Sequence, residues 1–188
     1  MKKTKHTVRF RRKEKTNYKK RLKILMARKT RLVVRKSLKN ITIQMIKYEP
    51  EGDKVLISVN SKKLGDFGWK FSKKNISSAY LAGLFAGIKS MEKGINEAVL
   101  DMGLHSPVKK SKIYAALKGV IDAGVKVASS EEVFPSEDRI KGKHISDYHK
   151  IKDFEKIFET TKNKILNGSG KPKVSGTLKN EAVLEGAK

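Results

Sequence analysis

The sequence predicts an α/β domain built on a mixed β-sheet, with a basic arm in front of it and a helical extension behind. Three observations carry this reading. Residues 31–60 hold three segments in which apolar and polar side chains alternate, the period of half-buried strands. The next 65 or so residues then switch to helical spacing, to a short apolar run, and back to helical spacing. The apolar fraction, 38% of 188 residues, suffices for one modest core.

Taken in order, residues 1–30 read as an arm with at most a short helix around Tyr18–Arg28. The first strand is expected over Arg31–Leu38, where Leu32 and Val34 alternate with Val33 and Arg35. In Ile41–Tyr48 the residues Ile41, Ile43 and Met45 share a face, and in Lys54–Asn60 the apolar side is Val55, Ile57 and Val59. Glu49-Pro-Glu-Gly-Asp53 is a turn by composition, so these two strands form an antiparallel hairpin. The sheet therefore has one apolar and one mixed face. A helix follows, capped by Ser77 or Ser78, with Leu81, Leu84, Phe85, Ile88 and Met91 at helical spacing and Gly94 as its stop.

Ala98-Val-Leu-Asp-Met102 reads as a strand buried on both faces. A second helix starts near Ser111, carries Ile113, Ala116, Leu117, Val120 and Ile121 inward, and ends at Gly124. After a polar stretch over 129–139, a last amphipathic helix is expected from about Tyr148 to Asn167, with Ile151, Phe154, Phe158, Ile165 and Leu166 on one stripe. The organisation expected is thus a basic arm over 1–30, an α/β domain over 31–128, a loop and helix extension over 129–168, and a loose tail over 169–188.

Charge gives the first functional indication. The chain carries 44 Lys and Arg against 19 Asp and Glu, a net +25. Residues 1–40 hold 18 of those bases and one acid, Glu14, which is a net +17 in the first 40 residues. A block of one sign repels itself and condenses on a polyanion, releasing counterions. An anionic membrane fits poorly, because Leu22, Leu25 and Met26 lack the broad apolar face of an interfacial helix. Nucleic acid is the favoured partner. No cysteine is present, which removes disulfides, thiol nucleophiles and Cys-based zinc sites. The opening Met1-Lys-Lys-Thr-Lys-His6 leads into no apolar h-region, so neither a secretory signal nor a membrane anchor is expected, and the chain reads as cytoplasmic.

Catalytic and metal readings fare badly. Gly168-Ser-Gly-Lys171 is followed by Pro172 instead of Ser or Thr and lacks the glycine spacing of a phosphate loop. His6, His105, His144 and His149 have no metal spacing, so no metal and no cofactor is expected. Gly83 and Gly87 suit close approach of their helix to a neighbouring strand. A ribonuclease-H-like nuclease would need several carboxylates converging on two metal ions, yet Asp101 is the only acid inside the buried strand. The expectation is a protein without enzymatic activity and without a small-molecule substrate.

The RNA-binding candidates are richer. In the arm they are Arg9, Arg11, Arg12, Lys13, Lys15, Lys19 and Arg21, with Tyr18 as a stacking surface for an unpaired base. Arg31, Arg35, Lys36, Ser37 and Lys39 continue the charge along the first strand and its turn, where guanidinium forks and ammonium points suit phosphate oxygens. Lys109, Lys110 and Lys112 stand where a helix start would offer amides to a phosphate. Trp69 reads equally as a stacking surface or as a core aromatic beside Phe67 and Phe71.

Several blocks, in order, resemble one family. They are Phe10-Arg-Arg-Lys-Glu-Lys-Thr-Asn-Tyr-Lys-Lys-Arg21, Arg31-Leu-Val-Val-Arg-Lys-Ser37, Gly68-Trp69, Ser78-Ala-Tyr-Leu-Ala-Gly83, Ala98-Val-Leu-Asp-Met-Gly-Leu104, Ala115 through Gly124, and Glu131 through Gly142. Together they cover roughly residues 9 to 168, and their order is far more specific than one short motif. The chain resembles the archaeal and eukaryotic branch of the large-subunit ribosomal protein family that binds 5S ribosomal RNA, ribosomal protein L eighteen.

That resemblance implies a non-enzymatic constituent of the central protuberance, in contact with 5S RNA, large-subunit RNA and neighbouring proteins. It also implies a ribonuclease-H-like fold without the catalytic acids. The family's RNA-contacting segments map onto the arm through Arg21 and onto Arg31, Arg35, Lys36, Ser37 and Lys39. Departures fall at Thr30, Leu38, Asn40 and Lys110, where the family usually has Pro, Asn, His and Gly. A free-standing nucleic-acid-binding regulator using the same surface stays open beside this reading.

Overall fold

In a computed structural model of the chain, residues 16–168 apart from 152 are described; the arm candidates Arg9, Arg11, Arg12, Lys13 and Lys15, and the tail over 169–188, lie outside the described residues. The described elements are α1 (Tyr18–Met26), β1 (Thr30–Lys36), β2 (Ile41–Lys47), β3 (Lys54–Asn60), a 3-10 segment (Ser61–Phe67), α2 (Ile76–Glu92), β4 (Glu97–Asp101), α3 (Lys112–Asp122), β5 (Lys126–Val127), a second 3-10 turn (Glu131–Val133), α4 (Glu137–Lys141), α5 (Lys143–His149) and α6 (Phe154–Asn167). The class is α/β with a mixed sheet, as the periodicities indicate; the sheet has five strands, and the short β5 is not among the four expected.

The strand order is β3-β2-β1-β4-β5. β1 to β3 form the antiparallel meander, with Leu32 opposite Met45 and Val34 opposite Ile43. β4 pairs parallel to β1, with Leu32 beside Leu100, and β5 pairs parallel to β4. One sheet face is apolar: Leu32, Val34, Ile43, Met45, Ile57 and Val59 are all buried there. Helix α2 packs on this face against β2 and β3, and α3 packs against β1 and β5.

Two features of the sheet depart from the expected pattern. The pairing of β2 with β3 shifts register between Met45 and Ile46, which face Ile57 and Val55 respectively, so Leu56 is an extra residue. Such a bulge turns the strand by one position. Val55 consequently leaves the apolar side and stands exposed, contrary to the simple pattern. β4 is only partly buried: Ala98 and Asp101 are inside, while Val99 and Leu100 are half-buried.

The glycines of α2 serve a helix, not a strand. A Cβ at Gly83 would stand 2.1 Å from the Ala116 carbonyl oxygen, and one at Gly119 of α3 would stand 2.2 Å from that of Tyr80. Backbone contact between α2 and α3 is possible only because both positions lack a side chain. The cap of α2 is Asn75, whose side chain accepts from the Ser78 amide at 2.7 Å, rather than Ser77 or Ser78.

The final amphipathic stretch is broken in two. Lys150, at φ +52°, ends α5, and α6 restarts at Phe154. Phe154, Phe158 and Ile165 are buried, while Leu166 is exposed. Trp69, 3% exposed, sits edge-on to Phe71, Phe154 and Phe158, and its indole donates to the Ser72 carbonyl. It is a core residue, and no base can stack on it.

Candidate nucleic-acid interface

The mixed face of the sheet is where the charge of the arm meets the domain. Asn17 caps α1 by accepting from the Lys20 amide at 3.0 Å, so the helix starts one residue after it. No residue of α1 is fully buried, though Ile24 and Leu25 are half-buried, and two polar contacts tie it to the domain. Arg21 Nη2 lies 2.7 Å from Asp53 Oδ2, and Lys20 Nζ donates to the Gly103 carbonyl at 3.3 Å.

Beneath α1 runs a chain of alternating charges. Arg31 Nη2 stands 2.7 Å from Asp53 Oδ2, without hydrogen-bond alignment, and Nη1 donates to Asp101 Oδ2 at 3.1 Å. Arg35 donates to the Asp101 carbonyl at 2.8 Å and approaches Asp101 Oδ1 at 3.4 Å. Asp101 Oδ1 also accepts from the Gly103 amide at 2.8 Å. The acid that ends β4 is thus committed to holding two arginines and a turn. Partial burial raises the Asp53 carboxyl, but the Arg21 and Arg31 guanidiniums beside it outweigh that and keep it below its ordinary value.

This network sorts the candidates. Arg31, at 3% exposure, is engaged with both Asp53 and Asp101 beneath α1, unlike the other candidates of β1. Spacing placed it on the mixed face correctly; what covers that face is a tertiary matter. Arg21 is likewise engaged, though a third of its side chain stays exposed. Arg35 projects from the same face with 42% of its side chain exposed and its guanidinium pinned at the Asp101 end. Tyr18 is half-buried in the first turn of α1, and Lys19 is exposed.

At the carboxyl end of β1 the candidates reach solvent. Lys36, Ser37 and Lys39 are exposed around the hairpin to β2. Ser37 shapes that hairpin: its amide and its hydroxyl both donate to the Asn40 carbonyl, and its oxygen accepts from the Asn40 amide. Lys109 pairs with Glu132 at 3.0 Å on the surface. Lys110 is exposed at φ +59°, the left-handed region, which accounts for the glycine the resemblance expects there.

Lys112, in the first turn of α3, shares an open cleft of about 600 Å³ with Lys36, Ser37 and a residue the sequence did not single out, Lys74. Burial, and after it the charges of Lys74 and Lys36, push the Lys112 ammonium below its ordinary value. His105 is lowered in the same way, by burial and then by Lys36 and Arg35. Lys74 immediately precedes the cap of α2; that position was the only signal available in the sequence. Among the described residues no group of three or more His, Asp or Glu is arranged to hold a metal. No helix among them is long and apolar enough to cross a membrane.

Known proteins bear on this arrangement. The family described as "Ribosomal large subunit proteins 60S L5, and 50S L18" matches residues 2–96, which span the arm, the meander, α2 and the approach to β4. The large ribosomal subunit protein uL18 of Methanothrix thermoacetophila is 49% identical to this chain over 158 residues, covering 84% of this chain and 93% of that protein. A relationship that extends so far beyond the basic arm, through the sheet and its helices, is one of whole architecture, and the chain belongs to the L18 family of large-subunit ribosomal proteins.

Proposed function

We propose that the chain binds 5S ribosomal RNA and helps attach it to large-subunit RNA at the central protuberance, among neighbouring ribosomal proteins, in the cytoplasmic ribosome. The observation that carries this reading is the run of cations Arg35, Lys36 and Lys39 at the end of β1 and in the hairpin that follows it. Of these only Arg35 is ion-paired to a carboxylate among the described residues. Together with the arm's charge they offer phosphate oxygens a strongly cationic surface anchored on the sheet. Phosphates fix position, whereas a side chain held by the sheet can meet one particular RNA shape. Arg35 is the specificity residue in this division. The strand order, with β2 antiparallel, supports a ribonuclease-H-like sheet put to binding rather than catalysis.

The test is competition binding of the full chain to 5S RNA and to an unrelated structured RNA at matched salt. With about 6–10 phosphates neutralised, affinity should fall on the order of 10³–10⁵ between 50 and 200 mM salt. Arg35→Ala should cost about 1–3 kcal/mol of the preference for 5S RNA. Alanine at Arg11, Arg12 and Lys13 should weaken both complexes equally. A flat salt response, or equal affinity for the two RNAs, would refute the proposal.

A further inference from the structure

The cleft at the end of β1 has a composition that the protein alone does not balance. Lys36 closes β1, Lys74 leads into α2 and Lys112 opens α3, so three ammoniums from three separate elements converge on one concavity. None of the three is ion-paired to a carboxylate among the described residues, although ion pairs are made elsewhere by Lys29, Lys54 and Lys109. Like charges gathered in a partly desolvated cleft repel one another, and a bound anion reverses the sign of that interaction.

The topology explains why a site should form here. β1 continues to β2 on one side, while β4 lies parallel on its other side. The crevice beyond the carboxyl end of β1 is therefore a point where the sheet's connections diverge, the usual place for a ligand on such a sheet. The starts of both α2 and α3 meet it. Ser111, the cap residue of α3, lines the cleft and makes no capping hydrogen bond with its side chain, in contrast to Asn75 on α2. The amides of α3's first turn are thus left without the usual side-chain partner, in a position that faces anions favourably.

We propose that Lys36, Lys74 and Lys112 form a seat for RNA phosphate in this cleft, a contact separate from the basic arm. The inference rests on the RNA-binding reading and narrows it to one place on the rigid domain. Lys74 becomes an RNA-contacting residue, and Lys112 acts from α3 instead of as an extension of the surface pair Lys109 and Lys110. An acidic protein segment is the competing occupant; the excess of cations along the whole chain favours RNA.

Two measurements on the full chain test the proposal. In the first, inorganic phosphate and pyrophosphate are titrated in ¹H–¹⁵N spectra. The amides of residues 111–113 and 75–77 should shift together, and the Lys112 ammonium should titrate at higher pH when the anion is bound. In the second, 5S RNA affinity is measured across salt for Lys74→Ala, Lys112→Ala and the control Lys63→Ala. Each cleft variant should lose affinity on the order of tenfold. Each should also reduce the slope of log affinity against log salt by about one. Lys74→Arg should retain both, and Lys63→Ala should change neither.

If wild-type chain prefers 5S RNA while the cleft variants keep its affinity and slope, the seat is refuted and the RNA reading stands. If 5S RNA is not preferred, yet the amides shift and the slope falls on any RNA, the seat stands and the 5S assignment fails. Tight binding of an Asp- and Glu-rich peptide at the same amides, not displaced by RNA, would overturn the seat in favour of a protein partner.

Discussion

Replacing Asp101 by alanine should be among the most damaging single changes on the mixed face of the sheet. Asp101 is 8% exposed, and its carboxylate neutralises Arg31, which is 3% exposed. Its loss leaves a buried guanidinium, whose Nε already lacks a partner among the described residues, dependent on Asp53 alone. Breaking a buried pair from one side costs about 3–5 kcal/mol, because the remaining charge is stranded in a poor dielectric. Asp53 stays 2.7 Å from Arg31 and is itself a quarter exposed, which places the expected cost near the lower bound, about 3 kcal/mol.

At roughly 2–4 °C per kcal/mol for a chain of this size, the melting temperature should fall by about 6–12 °C. Urea and thermal unfolding followed by circular dichroism would read this directly. The double variant Arg31→Met, Asp101→Leu removes both charges and should recover much of the loss, since an apolar pair carries no desolvation cost. A destabilisation under about 1 kcal/mol for Asp101→Ala, or no recovery in the double variant, would show that the charge chain does not hold this face together.

Three further outcomes follow from the same geometry. Lys110→Gly removes a side chain from the left-handed region at φ +59° and should stabilise the chain by about 1 kcal/mol in denaturant melts, less the glycine's own entropy cost. Gly83→Ala would drive a Cβ to 2.1 Å from the Ala116 carbonyl oxygen, so α2 and α3 must separate; a loss of about 3 kcal/mol or more in the same melts is expected. Asp53, held below its ordinary value of 3.8, contributes stability that is fully present above that pH and disappears as pH falls through the lower, folded-state value. Asp53→Asn should therefore flatten the acid limb of a stability-against-pH curve and leave the alkaline side unchanged in shape.

What the sequence alone determined is what short-range pattern governs. Alternation in Leu32–Arg35 and Ile41–Met45 gives strands, spacing from Leu81 to Met91 gives a helix, and both read correctly because each period is a property of a few neighbouring residues. The net charge of the first 40 residues is equally local, as is the family resemblance carried by ordered blocks. Where local pattern was interrupted, the reading slipped: the extra residue at Leu56 turned Val55 outward, and Lys150 broke the last helix without any sequence punctuation. Which residues meet across the chain was decided only by tertiary structure. Arg31 and Arg35 look alike in the strand, yet α1 and Asp53 close over the first and leave the second half-exposed. Lys36, Lys74 and Lys112, 38 residues apart at each step, become neighbours because the end of β1 and the starts of α2 and α3 meet in one cleft. Contacts of that range depend on strand order and helix packing, which no window of consecutive residues encodes.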